Sequence, residues 1–324
     1  PNPFDIPLVP SRLIPNSNTH YPVIPQTWHF KQSIEYSTSL NYAVLNYAAK
    51  FKDELLFNIY RMGRNSIEKG NQDTWSLSPS KVAVVEKAIE NLKAQDEKLK
   101  NQRGNPKQAI DSLLKNPKYR DPRAYIISAQ QNNPATTVRF LNALAANGIR
   151  IEQANESFTI NGKNYPAQSY IIKTNQAFRP HILDMFEAQD HPNDFEYAGG
   201  PPIPPYDAAG WTLAYLMHIN FDRVFEEVTE NFTTLQFGEP LKIIKQPIAD
   251  GKFLILSNQD NESFRVINEL IKKKIKVYRT NKGEFIVANN AFSKQLLSSS
   301  GLATKGIDKL PTDVKAIKGL RIGL

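Results

Sequence analysis

Few side chains in this chain have the types needed for acid-base or metal chemistry. There are five histidines, His20, His29, His181, His191 and His218, and no cysteine. Without a thiol there is no Cys-His nucleophile, no thiolate zinc or iron-sulfur site, and no disulfide. No histidine opens a His-x-x-Glu or His-Glu-x-x-His pattern, the spacing by which zinc peptidases bring two ligands to one surface. The nearest approaches are His181 with Asp184 and His191 with Asp194, and the second pair sits in the cluster Asp190-His191-Pro192-Asn193-Asp194. Its Asp190, His191 and Asp194 form a hard-ligand set suited to Ca²⁺ or Zn²⁺, while the same residue types also build ordinary turns. No Gly-x-Ser-x-Gly elbow offers a hydrolase serine. The adjacent acids Glu226 and Glu227 read as facing different sides of a helix, both solvated. No catalytic residue is assigned.

Two polar loops are the other candidates, Ser128-Ala129-Gln130-Gln131-Asn132 and Ser257-Asn258-Gln259-Asp260-Asn261. Each follows a short apolar run and precedes a helical pattern. Neither has the glycines that let backbone N–H groups approach a phosphate. Neutral amides suit sugar hydroxyls or peptide groups, and ligands of open α/β sheets bind beyond the carboxyl ends of the strands. Gln130, Asn132, Gln259 and Asn261 are therefore candidate ligand-binding residues. Asn and Ser at such positions also cap helices, which is the simpler role.

The elements that carry these loops follow from periodicity. Seven prolines among residues 1–27 impose an extended or turning coil. Val44, Ala48, Phe51, Leu55, Ile59 and Met62 then recur at steps of three and four, one stripe on a long helix that Gly63 is expected to end. Ser78-Pro79 and Asn105-Pro106 each start a further helix, so 63–118 reads as a charged helical connector. From Arg123 the pattern becomes strand (Ala124 to Ser128), helix (from Asn133-Pro134 to Gly148), strand (Ile149 to Ile151), a hairpin of Phe158–Ile160 and Ser169–Ile172 around Asn161-Gly162, and a helix from Asn175 to Phe186. The order recurs as Phe253–Ser257, a helix through Val266, Ile267 and Leu270, the strands Ile275–Val277 and Phe285–Val287, and a helix from Asn290.

Val138–Gln153 aligns without a gap on Phe264–Arg279, matching Arg139 with Arg265, Asn142 with Asn268, Leu144 with Leu270 and Ile149 with Ile275. The fold class is therefore α/β: a long N-terminal helix and helical connector, then two β-α-β-β-α units at 122–187 and 251–300, read as an internal duplication. The alternative is two unrelated segments of similar composition. Between them a polyproline-type stretch from Gly199 leads to an apolar helix through Trp211, Leu213, Leu216 and Met217, capped by Asp207.

The 324 residues carry 40 Lys plus Arg against 32 Asp plus Glu. Acids concentrate between 181 and 230, while Lys272, Lys273, Lys274, Lys276 and Arg279 cluster at a helix end. Cations suit a helix C-terminus, and only Tyr278 is interleaved with them, so no nucleic-acid partner is expected. No apolar run approaches the roughly 18–20 residues of a membrane span.

VIPQTWHFKQ from Val23, FNIYRMGRNSIE from Phe57, FRPHILDMFE from Phe178, and the run from QDHP at Gln189 through YDAAGWTL ending at Leu213 are long strings. They resemble large bacterial zinc carboxypeptidase-like proteins of the carboxypeptidase A superfamily. The resemblance spans nearly the whole chain. It implies a peptidase domain upstream of Pro1, with residues 1–62 as that domain's C-terminal remnant, 63–118 as connector and 119–324 as a glutamine-amidotransferase-like accessory region without its nucleophilic cysteine. The family's zinc ligands and general-base Glu have no counterpart in this sequence, so zinc is expected in the parent protein and not in this segment. The implied partner is the upstream peptidase domain, and the implied setting is periplasmic or extracellular. A stand-alone module binding a glycan or peptide between the Gln130 and Gln259 loops is the other expectation.

Overall fold

The computed structural model describes residues 2–9, 13–17, 20–100, 107–188, 192, 194–204, 212–229, 232–235 and 238–319. The chain divides into two compact units, Pro1–Met62 and Gly63–Leu324. In the first, β1 (Phe4–Asp5) pairs antiparallel with β2 (Thr27–Trp28), and α1 (Phe30–Lys50) follows. Gln32 Oε1 accepts the backbone N–H of His29 at 2.7 Å, closing the helix start. The expected single helix is broken once, at Phe51. The hydrogen-bond ladder nonetheless runs on, with Phe51 N–H on Tyr47 O (3.0 Å) and Leu55 N–H on Phe51 O (2.9 Å).

Helix α2 (Lys52–Gly70) does not stop at Gly63 as expected. Gly63 is a contact position, since a Cβ there would lie 3.4 Å from Ala177 Cβ. At Gly70 a Cβ would come within 2.3 Å of Asn175 Cα, so only glycine lets the backbones meet. Next come α3 (Pro79–Gln95), with Ser78 at its N-cap position and Pro79 in its first turn, α4 (Glu97–Lys100) and α5 (Lys107–Leu114). The expected Asn105-Pro106 start lies outside the described residues. The strap before α3 is tied down by Asp121, which accepts from Ser76 Oγ (2.8 Å) and pairs with Arg179 Nη2 (3.0 Å). Both ionic side chains are buried, which makes this a structural pair.

The rest is the expected mixed α/β architecture, in two tandem sheets. The first uses β3 (Ala124–Ile127), α6 (Pro134–Ala146), β4 (Glu152–Gln153), β7 (Tyr170–Lys173), α7 (Arg179–Phe186), β8 (Asp222–Val224) and β9 (Thr233–Thr234), with an added hairpin of β5 (Phe158–Ile160) and β6 (Lys163–Tyr165) and a one-turn helix α8 (Leu213–Leu216). The second uses β10 (Phe253–Leu256), α9 (Asn261–Lys272), β11 (Val277–Arg279), β12 (Phe285–Ala288), α10 (Ala291–Ser298), β13 (Thr304–Ile307) and β14 (Lys315–Ile317). Their strand orders are β8-β3-β7-β4-β9 and β13-β10-β12-β11-β14, position for position the same path through space. Each is a split β-α-β arrangement: the third core strand inserts between the first two and runs antiparallel to both. An amidotransferase-like open sheet would need parallel neighbours, and every described pairing is antiparallel.

Local geometry repeats too. Gly148 (φ 84°) and Lys274 (φ 58°) hold equivalent left-handed positions after α6 and α9. Ile149 N–H reaches back to Leu144 O (3.1 Å) and Ile275 N–H to Leu270 O (3.0 Å), the same helix-closing bond. Gln130 N–H on Ser128 Oγ (3.2 Å) is matched by Gln259 N–H on Ser257 Oγ (3.1 Å).

Three sequence expectations change. Asn161 (φ 51°) and Gly162 (φ 76°) do form a tight turn, but it joins β5 to β6, leaving 170–173 for the main sheet. Helix α7 starts at Arg179, because the Gln176 amide is spent on Arg150 N–H (2.7 Å), Arg150 O (2.9 Å) and Lys173 O (2.8 Å). The Trp211–Met217 helix shortens to α8; Asp207 and Trp211 lie outside the described residues.

The added hairpin explains why the strands read differently. On β3, Tyr125 and Ile127 face α6 and α7 through Phe140, Leu144 and Phe186, while Ala124 and Ile126 pack with Ile160 and Tyr165 of the hairpin. Both faces are covered, so the run is continuously apolar. Strand β10 has no such cover among the described residues, and Phe253 and Ile255 are only half-buried while Leu254 and Leu256 are buried.

Candidate functional site

A cleft of about 770 Å³ opens at the carboxyl end of β3. One wall is the Ser128–Gln131 loop, the second is Lys163–Pro166 of the hairpin, and the third runs from Tyr215 on α8 through His218 to Arg223 on β8. Loop rigidity comes from Gln131. Its amide donates to Asn220 O (2.8 Å) and to Ser128 O (3.1 Å), and its Oε1 accepts Asn220 N–H (3.0 Å). Ala129 N–H also donates to Ser169 Oγ (3.1 Å). His218, at φ 55°, makes the turn out of α8, with Ile219 N–H returning to Ala214 O (2.8 Å).

The charges of the walls are paired within the protein. Lys163 Nζ donates to both oxygens of Asp222, at 2.8 and 2.6 Å. Arg223 is held by Glu187 through Nε (3.0 Å) and Nη2 (3.0 Å), and Glu187 also accepts the Tyr125 hydroxyl at 2.7 Å. Burial, reinforced by the charge and hydrogen bond of Asp222, pushes the Tyr165 phenol far above its ordinary value, so it stays protonated. Burial and then Glu187 do the same to Tyr125.

Of the residues expected to bind ligand, Gln130 alone lines this cleft, exposed and with no hydrogen bond to its amide among the described residues. Asn132 and Gln259 are exposed outside it. Asn261 opens α9 and donates to Thr136 Oγ1 of α6 (3.4 Å), so it joins the two repeats rather than facing the cleft. The same helix contact brings Arg139 and Arg265, paired in the sequence alignment, onto one buried carboxylate, Glu262. The loop before α9 does supply a cap, as Asp260 accepts Glu262 N–H at 2.9 Å.

Asp190 and His191 lie outside the described residues. Asp194 is exposed at the start of a turn, its carbonyl accepting Ile203 N–H (3.0 Å), next to a bridge between Phe195 and Pro202. Among the described residues no three His, Asp or Glu side chains are grouped to hold a metal ion. Glu226 is not on a helix: it follows β8 and accepts from Asn161 Nδ2 (2.7 Å) and Arg120 (3.3 Å), and the Asn161 bond leads in holding its carboxyl below the ordinary value. Sequence reasoning passed over Lys163, Tyr165, Tyr215 and Asp222, which come from segments far apart in the chain. The Asn161-Gly162 turn was their nearest signal.

A second feature belongs to the N-terminal unit. No residue of α1 is buried, and Leu40, Val44, Leu45, Tyr47, Leu56 and Ile59 are each more than half exposed. No described helix is long and apolar enough to cross a membrane. Comparison with known proteins finds no matching family model, no matching curated protein and no matching solved structure.

Proposed function

We propose that this chain is a non-catalytic accessory segment of a zinc metallocarboxypeptidase-like protein, whose α1 and α2 pack against the peptidase domain and which works outside the cytoplasm. The observation that carries the docking is the bare apolar surface of these helices. Covering a side chain such as Leu45 or Ile59 contributes about 1.5–3 kcal/mol, and exposed apolar surface of this extent marks an interaction site. The family assignment is supported by the strings that begin at Val23, Phe57 and Phe178. Zinc and the general base belong to the peptidase domain in this reading, and the segment supports that domain.

The test is co-expression of this chain with the peptidase domain as separate polypeptides. The two should co-purify, and the double substitution Leu45→Asp with Ile59→Asp should release the chain while leaving its circular dichroism unchanged. Stoichiometric zinc on the purified chain together with hydrolysis of a C-terminal peptide bond would place catalysis here and overturn the reading.

A further inference from the structure

We infer that the cleft of the first repeat binds a neutral oligosaccharide. The two repeats share one sheet order, yet the first carries two additions that the second lacks. One is the β5–β6 hairpin, where the second repeat has only residues 280–284. The other is the segment 187–221 between α7 and β8, where the second repeat has only 299–303. Both additions converge on the same cleft, Lys163 and Tyr165 from the hairpin and Tyr215 and His218 from the longer segment. The second repeat folds its sheet without them, so the split β-α-β framework does not require either addition.

The chemistry of the walls selects the ligand. At about 770 Å³ the cleft has the size of a small-molecule site. Its charged groups already satisfy one another, Lys163 with Asp222 at 2.6 Å and Arg223 with Glu187 at 3.0 Å. A charged ligand would have to compete with these partners for charges they already neutralise. A polyhydroxyl ligand need not, since each hydroxyl both donates and accepts and can use the remaining lone pairs of Asp222 and the idle amide of Gln130. Tyr215 supplies the apolar surface. The residue is 53% exposed and its ring is held edge-on to Phe221 with centroids 5.4 Å apart, a platform for the C–H face of a pyranose. The Gln131 clamp on Asn220 fixes the loop and the Tyr215 arm before any ligand arrives, which lowers the ordering cost of binding. The site stands whether or not α1 and α2 dock on a peptidase domain.

Saturation-transfer NMR and calorimetry on the full chain test this, with maltotriose, cellotriose, triacetylchitotriose, a trigalacturonate and trialanine as probes. At least one neutral trisaccharide should bind. Tyr215→Ala should weaken it by about tenfold, Gln130→Ala should weaken it less, and Tyr215→Phe, which keeps the ring, should bind nearly as the parent does. Tyr215 is exposed, so thermal melts of these variants should match the parent. Binding of the trigalacturonate or trialanine in preference to every neutral trisaccharide, or neutral binding indifferent to Tyr215→Ala, overturns the assignment. So does an absence of binding by all three neutral probes at millimolar concentration.

Discussion

Glu262 has almost no access to water, and two half-exposed arginines from different repeats share it. Removing the acid leaves both guanidiniums without their anion and breaks the α6–α9 contact. Glu262→Ala should therefore cost about 3 kcal/mol in urea unfolding, and Glu262→Gln less, because the amide oxygen still accepts a hydrogen bond. Arg139→Ala and Arg265→Ala should be more than additive in the double variant, since either arginine alone can neutralise the carboxylate and only the double leaves it buried and unpaired. Asp73 behaves differently. Burial tends to raise its pKa, but hydrogen bonds and charge from Arg120 (2.9 Å) and Arg123 (3.2 Å) together hold it below the ordinary value. A depressed carboxylate stabilises the fold above its unfolded pKa of about 4 and loses that contribution as pH falls through the folded value. Stability measured from about pH 6 down to pH 2 should thus decline less steeply in Asp73→Asn than in the parent.

Among the elements, the paired helix ends after α6 and α9 give the sharpest comparison. Both require a left-handed residue, supplied by glycine at 148 and by lysine at 274. Lys274→Gly removes the left-handed penalty at an exposed site and should stabilise by about 0.5–1 kcal/mol after the entropy of the unfolded chain is counted. Gly148→Ala runs the other way, adding that penalty and a Cβ 3.0 Å from the Phe178 ring. It should destabilise by about 1–2 kcal/mol in the same unfolding assay. These ends were legible beforehand, because Gly148 and the aligned Leu144–Ile149 and Leu270–Ile275 pairs mark where each helix must close. The α7 start was not, since nothing local to Gln176 shows that its amide is engaged by Arg150.

At the level of the whole molecule, the uncovered apolar surface of the N-terminal unit has a consequence of its own. Purified alone, the chain should self-associate as concentration rises, through α1 and α2, since water is excluded when such faces meet. Sedimentation velocity should resolve this, and Leu45→Asp with Ile59→Asp should return the chain to monomer. The same measurement on Tyr215→Ala should match the parent, which separates the helix surface from the cleft.

The amino-acid sequence by itself determined the local parts: helix and strand periods, the tight turn at Asn161-Gly162, and the lack of thiol chemistry. Each depends on residues within a few positions of one another or on a simple count. Tertiary structure decided how the strands pair and what the loops meet. The third strand of each repeat enters between the first two because its antiparallel bonds satisfy both neighbours, and no local pattern states that choice. Likewise Gln130 lines a cleft and Asn261 does not, because the hairpin and residues 215–221 close over the first repeat and have no counterpart among the described residues of the second.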